Sequence, residues 1–257
     1  MSYKLLAVDI DGTLLDSNGN LTAETIKAVN EGIEKGMIFT ISTGRPLQGI
    51  EGLIKKLGIT QDLPMITYNG AMIIMWKSRK ILFQSSISNE DALAIIDLGK
   101  KFGTTVMVWT DNKLYASELN SRAYEYSSIS EVPPLLLEDN KKAIEKTIEK
   151  GATKILWYDE VEVINKYLNE VGKYLSDNVN FHTSQPYFLE FVDKSASKAK
   201  AMEKLGEHCG IKQSEMIAVG DGLNDLSMIE YAGLGVAMNN ANDIVKEYAN
   251  VVNNALL

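Results

Sequence analysis

Residues Lys4 to Asp16 read KLLAVDIDGTLLD, and this stretch decides the fold. Leu5, Leu6, Ala7 and Val8 form an apolar run that breaks sharply into acid, the pattern of a short strand buried on both faces of a parallel sheet. Asp9 and Asp11 have one residue between them, so at the strand's end both side chains can lean to the same side while Gly12 lets the chain turn away. Two carboxylates that close repel each other. The pair is tolerated where a divalent cation neutralises it, or where one member holds a proton and becomes an acid. For a DxDG tetrapeptide alone, a calcium-type loop or an acidic turn is the plain alternative.

Further along, Thr22 opens a helical pattern with Ile26, Val29 and Ile33 on one face, and Gly36 closes it. The strand Met37 to Thr43 follows. Strand, helix and strand in that order make a crossover unit and a parallel sheet. In open sheets of this kind ligands collect at the carboxyl ends of the strands, where Thr43, Gly44 and Arg45 fall. The Thr43 hydroxyl and the backbone around Gly44 can donate to an anion, although Thr-Gly after a strand is also an ordinary turn. Asn69-Gly70, between two apolar runs, is first a hairpin signal.

From about Leu82 the character changes. Strands with better alternation, such as Tyr187, Leu189 and Phe191, adjoin through short loops and are interleaved with helices over 88–102, 139–150 and 160–175. The segment around Pro133-Pro134 reads as a loop. This pattern predicts an antiparallel sheet with helices on one face, set as an α+β insert into the first unit. The expected division is 1–82 with 188–257 as a Rossmann-like parallel-sheet α/β core, and 83–187 as the insert.

The core pattern resumes with a helix from Lys198, and residues Glu215 to Glu230 read EMIAVGDGLNDLSMIE. Here a third apolar run ends in Gly220-Asp221-Gly222, and Asn224-Asp225 opens a helix. Magnesium takes oxygen ligands, commonly one or two carboxylates with waters and phosphate oxygens, and Asp221 fits such a role. A Gly-Asp-Gly turn followed by a helix cap is the structural alternative.

Composition limits the remaining classes. The chain has 257 residues, 45% hydrophobic and 23% charged, with a net charge of -8. That is a globular composition without a basic footprint for nucleic acid or an anionic membrane. One cysteine, Cys209, and two histidines, His182 and His208, offer neither an internal disulfide nor a thiolate or histidine-rich metal site. The start MSYKLLAVDID lacks a signal-peptide layout and no apolar run reaches the length of a membrane span, so a cytoplasmic enzyme is expected. The sequence leaves oligomeric state open between monomer and weak dimer.

Taken together, the string Asp9-Ile10-Asp11-Gly12-Thr13-Leu14-Leu15-Asp16 after an apolar run resembles the first motif of the haloacid dehalogenase-like hydrolase superfamily. Thr43-Gly44-Arg45-Pro46 and Gly220-Asp221-Gly222-Leu223-Asn224-Asp225 are similar to the second and fourth motifs as Cof-like phosphatases carry them. The resemblance implies a Mg²⁺-dependent phosphatase acting on small phosphate esters such as sugar phosphates, with the insert as a cap. It further implies Asp9 as nucleophile, Asp11 as acid/base, and a metal held by Asp9, the Asp11 backbone carbonyl and Asp221. Asp225 would bind the metal or its water shell. Phosphate contacts fall to the backbone near Ile10 and to Thr43, Gly44, Asn224 and Lys198. Lys198 departs from the pattern in being followed by Ala199 where the family usually has glycine. Asn69 and Arg45 are secondary candidates, Arg45 in a supporting role. A phosphomutase or phosphotransferase of the same fold, or a phospho-aspartate switch, are the rival readings. The carboxyl group of Asp11 argues against the switch, and against the superfamily's ATP-driven pumps, which carry a threonine there.

Overall fold

The computed structural model describes residues 3–253. It divides into two compact units, one up to Phe83 and again from Ala196, the other Gln84–Ser195. The first unit opens with β1 (Leu5–Val8), α1 (Ala23–Glu34), β2 (Ile38–Ile41), α2 (Glu51–Lys56), β3 (Pro64–Thr67), β4 (Met72–Met75) and β5 (Ile81–Gln84). Thr22 caps α1 by accepting from the Thr25 amide, as its position before the apolar stripe requires. β3 and β4 are antiparallel around Tyr68–Gly70, in agreement with the Asn-Gly hairpin signal.

The inserted unit contains α3 (Asn89–Lys101), β6 (Thr105–Thr110), β7 (Lys113–Ala116), α4 (Ser121–Ser130), β8 (Leu135–Leu136), α5 (Lys141–Thr147), β9 (Lys154–Tyr158), α6 (Val161–Leu168), β10 (Val179–Gln185) and β11 (Phe188–Asp193). Its sheet runs β10-β11-β9-β6-β7-β8, antiparallel except for the short pairing of β7 with β8. Val106, Val108, Ile155, Trp157, Leu189 and Phe191 form one face and pack with residues of α3, α5 and α6.

Three expectations change here. β11 pairs with both β9 and β10, so the core returns at Ala196 rather than at residue 188, and it leaves at Phe83 rather than at residue 82. Helix α4 lies where the sequence reads as connection. Its inward positions Ala123, Tyr126 and Ser130 are small or polar, which hides the helical period. Tyr126 accepts a hydrogen bond from Trp109 Nε1 at 3.0 Å. Trp109 alternates with Val108, so α4 covers part of the opposite sheet face and the helices are not confined to one side.

The first unit resumes with α7 (Lys198–Cys209), β12 (Met216–Gly220), α8 (Leu226–Tyr231), β13 (Leu234–Met238), α9 (Asp243–Tyr248) and β14 (Val251–Asn253). All five strands of its main sheet, ordered β14-β13-β12-β1-β2, are parallel. Val251–Asn253 is thus an edge strand drawn from the closing VVNNALL, whose last four residues lie outside the described ones. Leu5, Ala7, Met216 and Ala218 pack one sheet face onto Ala201, Met202 and Leu205 of α7 and Met228 and Ile229 of α8. The strand order reverses between β1 and its two neighbours. Both connections therefore leave from the same carboxyl edge and open a crevice there. Among the described residues no helix is long and apolar enough to cross a membrane.

Candidate active site

Because the strands are parallel, β1, β2, β12 and β13 all end at one edge, and the segments after them meet there. The Asp9 amide donates to Val219 C=O at 3.0 Å, extending the β1–β12 pairing by one residue and holding the Asp9 carboxylate at the rim, 8% exposed. Ile10 is buried, and its amide is directed at that carboxylate. Ile10–Leu14 then makes one wide turn closed by the Leu15 amide on Ile10 C=O at 3.1 Å. Gly12 in this turn has φ +81°, and a Cβ there would stand 2.4 Å from Asp221 Oδ2. The turn and the Asp221 loop can touch only because that side chain is absent.

Asp221 is fixed from two sides. Thr13 Oγ1 donates to Oδ1 at 2.7 Å, and Asn240 Nδ2 donates to Oδ2 at 3.1 Å and to Gly12 C=O at 3.0 Å. Asp225 is buried with both oxygens engaged. Its Oδ2 accepts the Asp221 and Gly222 amides at 3.1 and 2.9 Å, and its Oδ1 accepts from Lys198 Nζ at 2.5 Å.

Lys198 is the first residue of α7 and is 1% exposed. Its ammonium also donates to Asp9 Oδ1 and to Ser42 C=O, each at 2.7 Å, so three acceptors take its three protons. A lysine at a helix N-terminus opposes the helix dipole, a local cost that its contacts with the Asp9 and Asp225 carboxylates offset. Two features set it there. Ser197 caps the helix by accepting the Lys200 amide at 3.1 Å. Gly70, at φ +94°, leaves room for the Ser197 carbonyl, which a Cβ would meet at 2.1 Å.

One oxygen each from Asp9, Asp221 and Asp225 forms a group within 4.8 Å of one another. A single ammonium does not balance three carboxylates. Burial pushes the Asp9 carboxyl up to about 6 against the pull of Lys198, with Asp225 adding to the rise. Burial raises the Asp221 carboxyl as well. An all-oxygen donor set short of positive charge suits a hard divalent cation such as Mg²⁺.

The Asp11 carboxylate lies outside this group. Arg45 grips it with a fork: Nη2 is 2.7 Å from Oδ1 and 2.9 Å from Oδ2, and Nε is 3.2 Å from Oδ2. Thr43 is buried; its hydroxyl accepts the Arg45 amide at 3.2 Å and its carbonyl accepts the Asn69 amide at 2.9 Å. The Asn69 side chain lies against Gly44 and accepts from Asn224 Nδ2 at 3.2 Å.

The sequence candidates therefore assemble at one edge in three linked clusters. Asp9, Lys198, Asp221 and Asp225 form the first, with Ile10 beside it, Asp11 with Arg45 the second, and Thr43, Gly44, Asn69 and Asn224 the third. Sequence reasoning missed Ser42, Thr13 and Asn240. Asn240 carried a usable signal, since it follows the carboxyl end of the fourth parallel strand in Met238-Asn239-Asn240.

A Rossmann-like sheet with an insert carries an acidic, lysine-bearing site at its carboxyl edge, where ligands of such sheets collect. The chain belongs to the haloacid dehalogenase-like hydrolases, whose family model matches residues 6–255. It is 32% identical over 255 residues to 5-amino-6-(5-phospho-D-ribitylamino)uracil phosphatase YcsE of Bacillus subtilis, covering 98% of this chain and 90% of the relative. Among solved structures, a haloacid dehalogenase-like hydrolase from Bacteroides thetaiotaomicron superposes with TM-score 0.85 at 27% identity, covering 98% and 94% of the two chains. TM0651 from Thermotoga maritima does so with TM-score 0.85 at 30% identity, covering 97% and 91%. As a member of this family the chain is an enzyme of the phosphatase kind.

Proposed function

We propose that the chain hydrolyses small phosphate monoesters of sugar or polyol type through an aspartyl-phosphate on Asp9. The observation that carries this reading is the Asp9 carboxylate itself, buried at the strand end with one oxygen held by Lys198. In the first step Asp9 attacks phosphorus, the bond from phosphorus to the ester oxygen breaks, and the Asp11 carboxyl gives its proton to the departing alkoxide. In the second step Asp11 takes a proton from water, the water oxygen attacks phosphorus, and the Asp9 carboxylate is released with inorganic phosphate.

Lys198 holds Asp9 in one orientation and offsets charge on the transferred oxygens. The Ile10 backbone, Thr43, Gly44 and Asn224 would receive those oxygens. Mg²⁺ would be held by Asp9, the Asp11 backbone carbonyl and Asp221; Asp225, with both oxygens engaged, would act on its water shell. When bound, the ion supplies the positive charge that lets a carboxylate approach a phosphate dianion. The ribityl phosphate in the name of the relative YcsE supports an open-chain polyol or sugar ester as substrate, and choice among esters is assigned to the inserted unit as a cap.

The test is phosphate release from sugar phosphates, nucleotides and p-nitrophenyl phosphate, with Mg²⁺ or EDTA, for wild type and Asp9→Asn. Release that requires both Mg²⁺ and Asp9 is expected. An isomeric phosphate ester in place of free phosphate would turn the reading to a phosphomutase, and release that persists in Asp9→Asn would sink it.

A further inference from the structure

Among the described residues, Arg45 is the hydrogen-bonding partner that holds the Asp11 carboxylate, which is otherwise open to solvent with 63% of its side chain exposed. Arg45 is itself anchored. Its amide donates to Thr43 Oγ1 at 3.2 Å and its carbonyl accepts the Tyr68 amide at 3.3 Å. Pro46 follows it, restricting its backbone, and Leu47 next to that is fully buried. The Asp11 carboxylate thus meets a fork carried by an anchored stretch of backbone. Two parallel N–H···O contacts define a plane as well as a distance, which a single ammonium cannot do.

We propose that Arg45 is a positioning residue for Asp11, setting the direction in which that carboxyl presents its proton to the leaving oxygen, rather than a ligand of the phosphoryl group. This rests on the reading of Asp11 as acid/base given above. The guanidinium edge carrying Nε and Nη2 is occupied by Asp11, whereas the transferred oxygens have the Lys198 ammonium for charge. The consequence is a dependence on the leaving group. An alkoxide cannot depart without a proton as its bond to phosphorus breaks, whereas p-nitrophenolate is stable enough to leave unprotonated. Misplacing Asp11 therefore slows the first step of alkyl esters far more than that of the aryl ester. The second step, in which Asp11 takes a proton from water, is common to both, so the comparison is made in kcat/KM, which reports only up to departure of the leaving group.

The experiment measures kcat and KM for an alkyl phosphate that the wild type turns over and for p-nitrophenyl phosphate, in wild type, Arg45→Ala, Arg45→Lys, Asp11→Asn and Arg45→Ala/Asp11→Asn. Part of a general acid's contribution is expected to be lost, so kcat/KM for the alkyl ester falls by about 10- to 100-fold in Arg45→Ala. For the aryl ester kcat/KM falls by only a few-fold, since p-nitrophenolate leaves without a proton. Arg45→Lys restores part of the alkyl activity, and Arg45→Ala adds no further loss once Asp11 is Asn. Equal losses of kcat/KM on both esters, or full additivity with Asp11→Asn, would overturn the proposal and make Arg45 a phosphate ligand or a structural residue. Should Arg45→Ala fail to fold, Arg45→Lys and Arg45→Gln carry the same comparison. A wild type inactive on every ester would instead overturn the phosphatase reading, and this inference with it.

Discussion

Asp9→Asn should make the metal-free protein more stable, although it removes the nucleophile. Burial raises the Asp9 carboxyl from 3.8 to about 6, so the folded state binds this proton more tightly than the unfolded chain does. For an acid shifted in that direction, stability is highest below pH 4 and is lost as pH rises through the window from 4 to 6. Above it the charged carboxylate costs about 3 kcal/mol, and at pH 5 about half of that has been incurred. Asparagine has the shape of the protonated form and keeps an oxygen for Lys198, so at pH 7.5 in EDTA the variant should gain roughly 1–3 kcal/mol. For a chain of this length that raises Tm by about 2–10 °C. The difference should shrink by about half at pH 5. Adding Mg²⁺ should stabilise the wild type by mass action and leave Asp9→Asn nearly unmoved, closing the gap. Thermal melts of both proteins at the two pH values, with and without Mg²⁺, read all of this. Asp9→Asn melting at or below the wild type in EDTA at pH 7.5, or a gap equal at both pH values, would refute the account of Asp9 as a strained carboxylate awaiting positive charge.

Substitutions at two further places test how the units are built. Gly12→Ala places a methyl carbon 2.4 Å from Asp221 Oδ2 at φ +81°; it should cost about 1–3 kcal/mol and weaken Mg²⁺ binding at least 10-fold, which calorimetric titration with Mg²⁺ alone would report. In the inserted unit, Lys154 donates to Glu190 at 3.1 Å and both are buried. Burial works against both charges, but the pairing outweighs it, holding Glu190 below and Lys154 above its ordinary value. Lys154→Met leaves the buried Glu190 carboxylate without its ion-pair partner, with the Ser184 hydroxyl still donating to it at 2.9 Å, and should destabilise by about 3–5 kcal/mol in urea unfolding, whereas Lys154→Met with Glu190→Leu should recover most of that loss.

The main elements of the parallel core were legible because its strands are short apolar runs that end in acid or glycine, a signal that needs only neighbours in sequence. The motif residues were legible for a related reason. In a parallel sheet every strand delivers its next residues to one edge, so Asp9, Thr43 and Asp221 could be placed together before any contact was known. The site's internal pairings were not legible. Asp9 and Asp11 read as a pair, but the wide turn at Ile10–Leu14 separates their partners, giving Asp9 to Lys198 and Asp11 to Arg45. Spacing in sequence says nothing about which way a side chain leaves a turn. Helix α4 was hidden because its buried face is made of Ala123, Tyr126 and Ser130. The return to the core at Ala196 was hidden because β11 reads the same whichever sheet it joins. What the sequence by itself determined is the fold class, the edge where the chemistry sits and the residue types that meet there. What only the tertiary structure decided is which acid each cation holds, since that depends on hydrogen-bond geometry between segments up to about two hundred residues apart, such as Asp9 and Lys198.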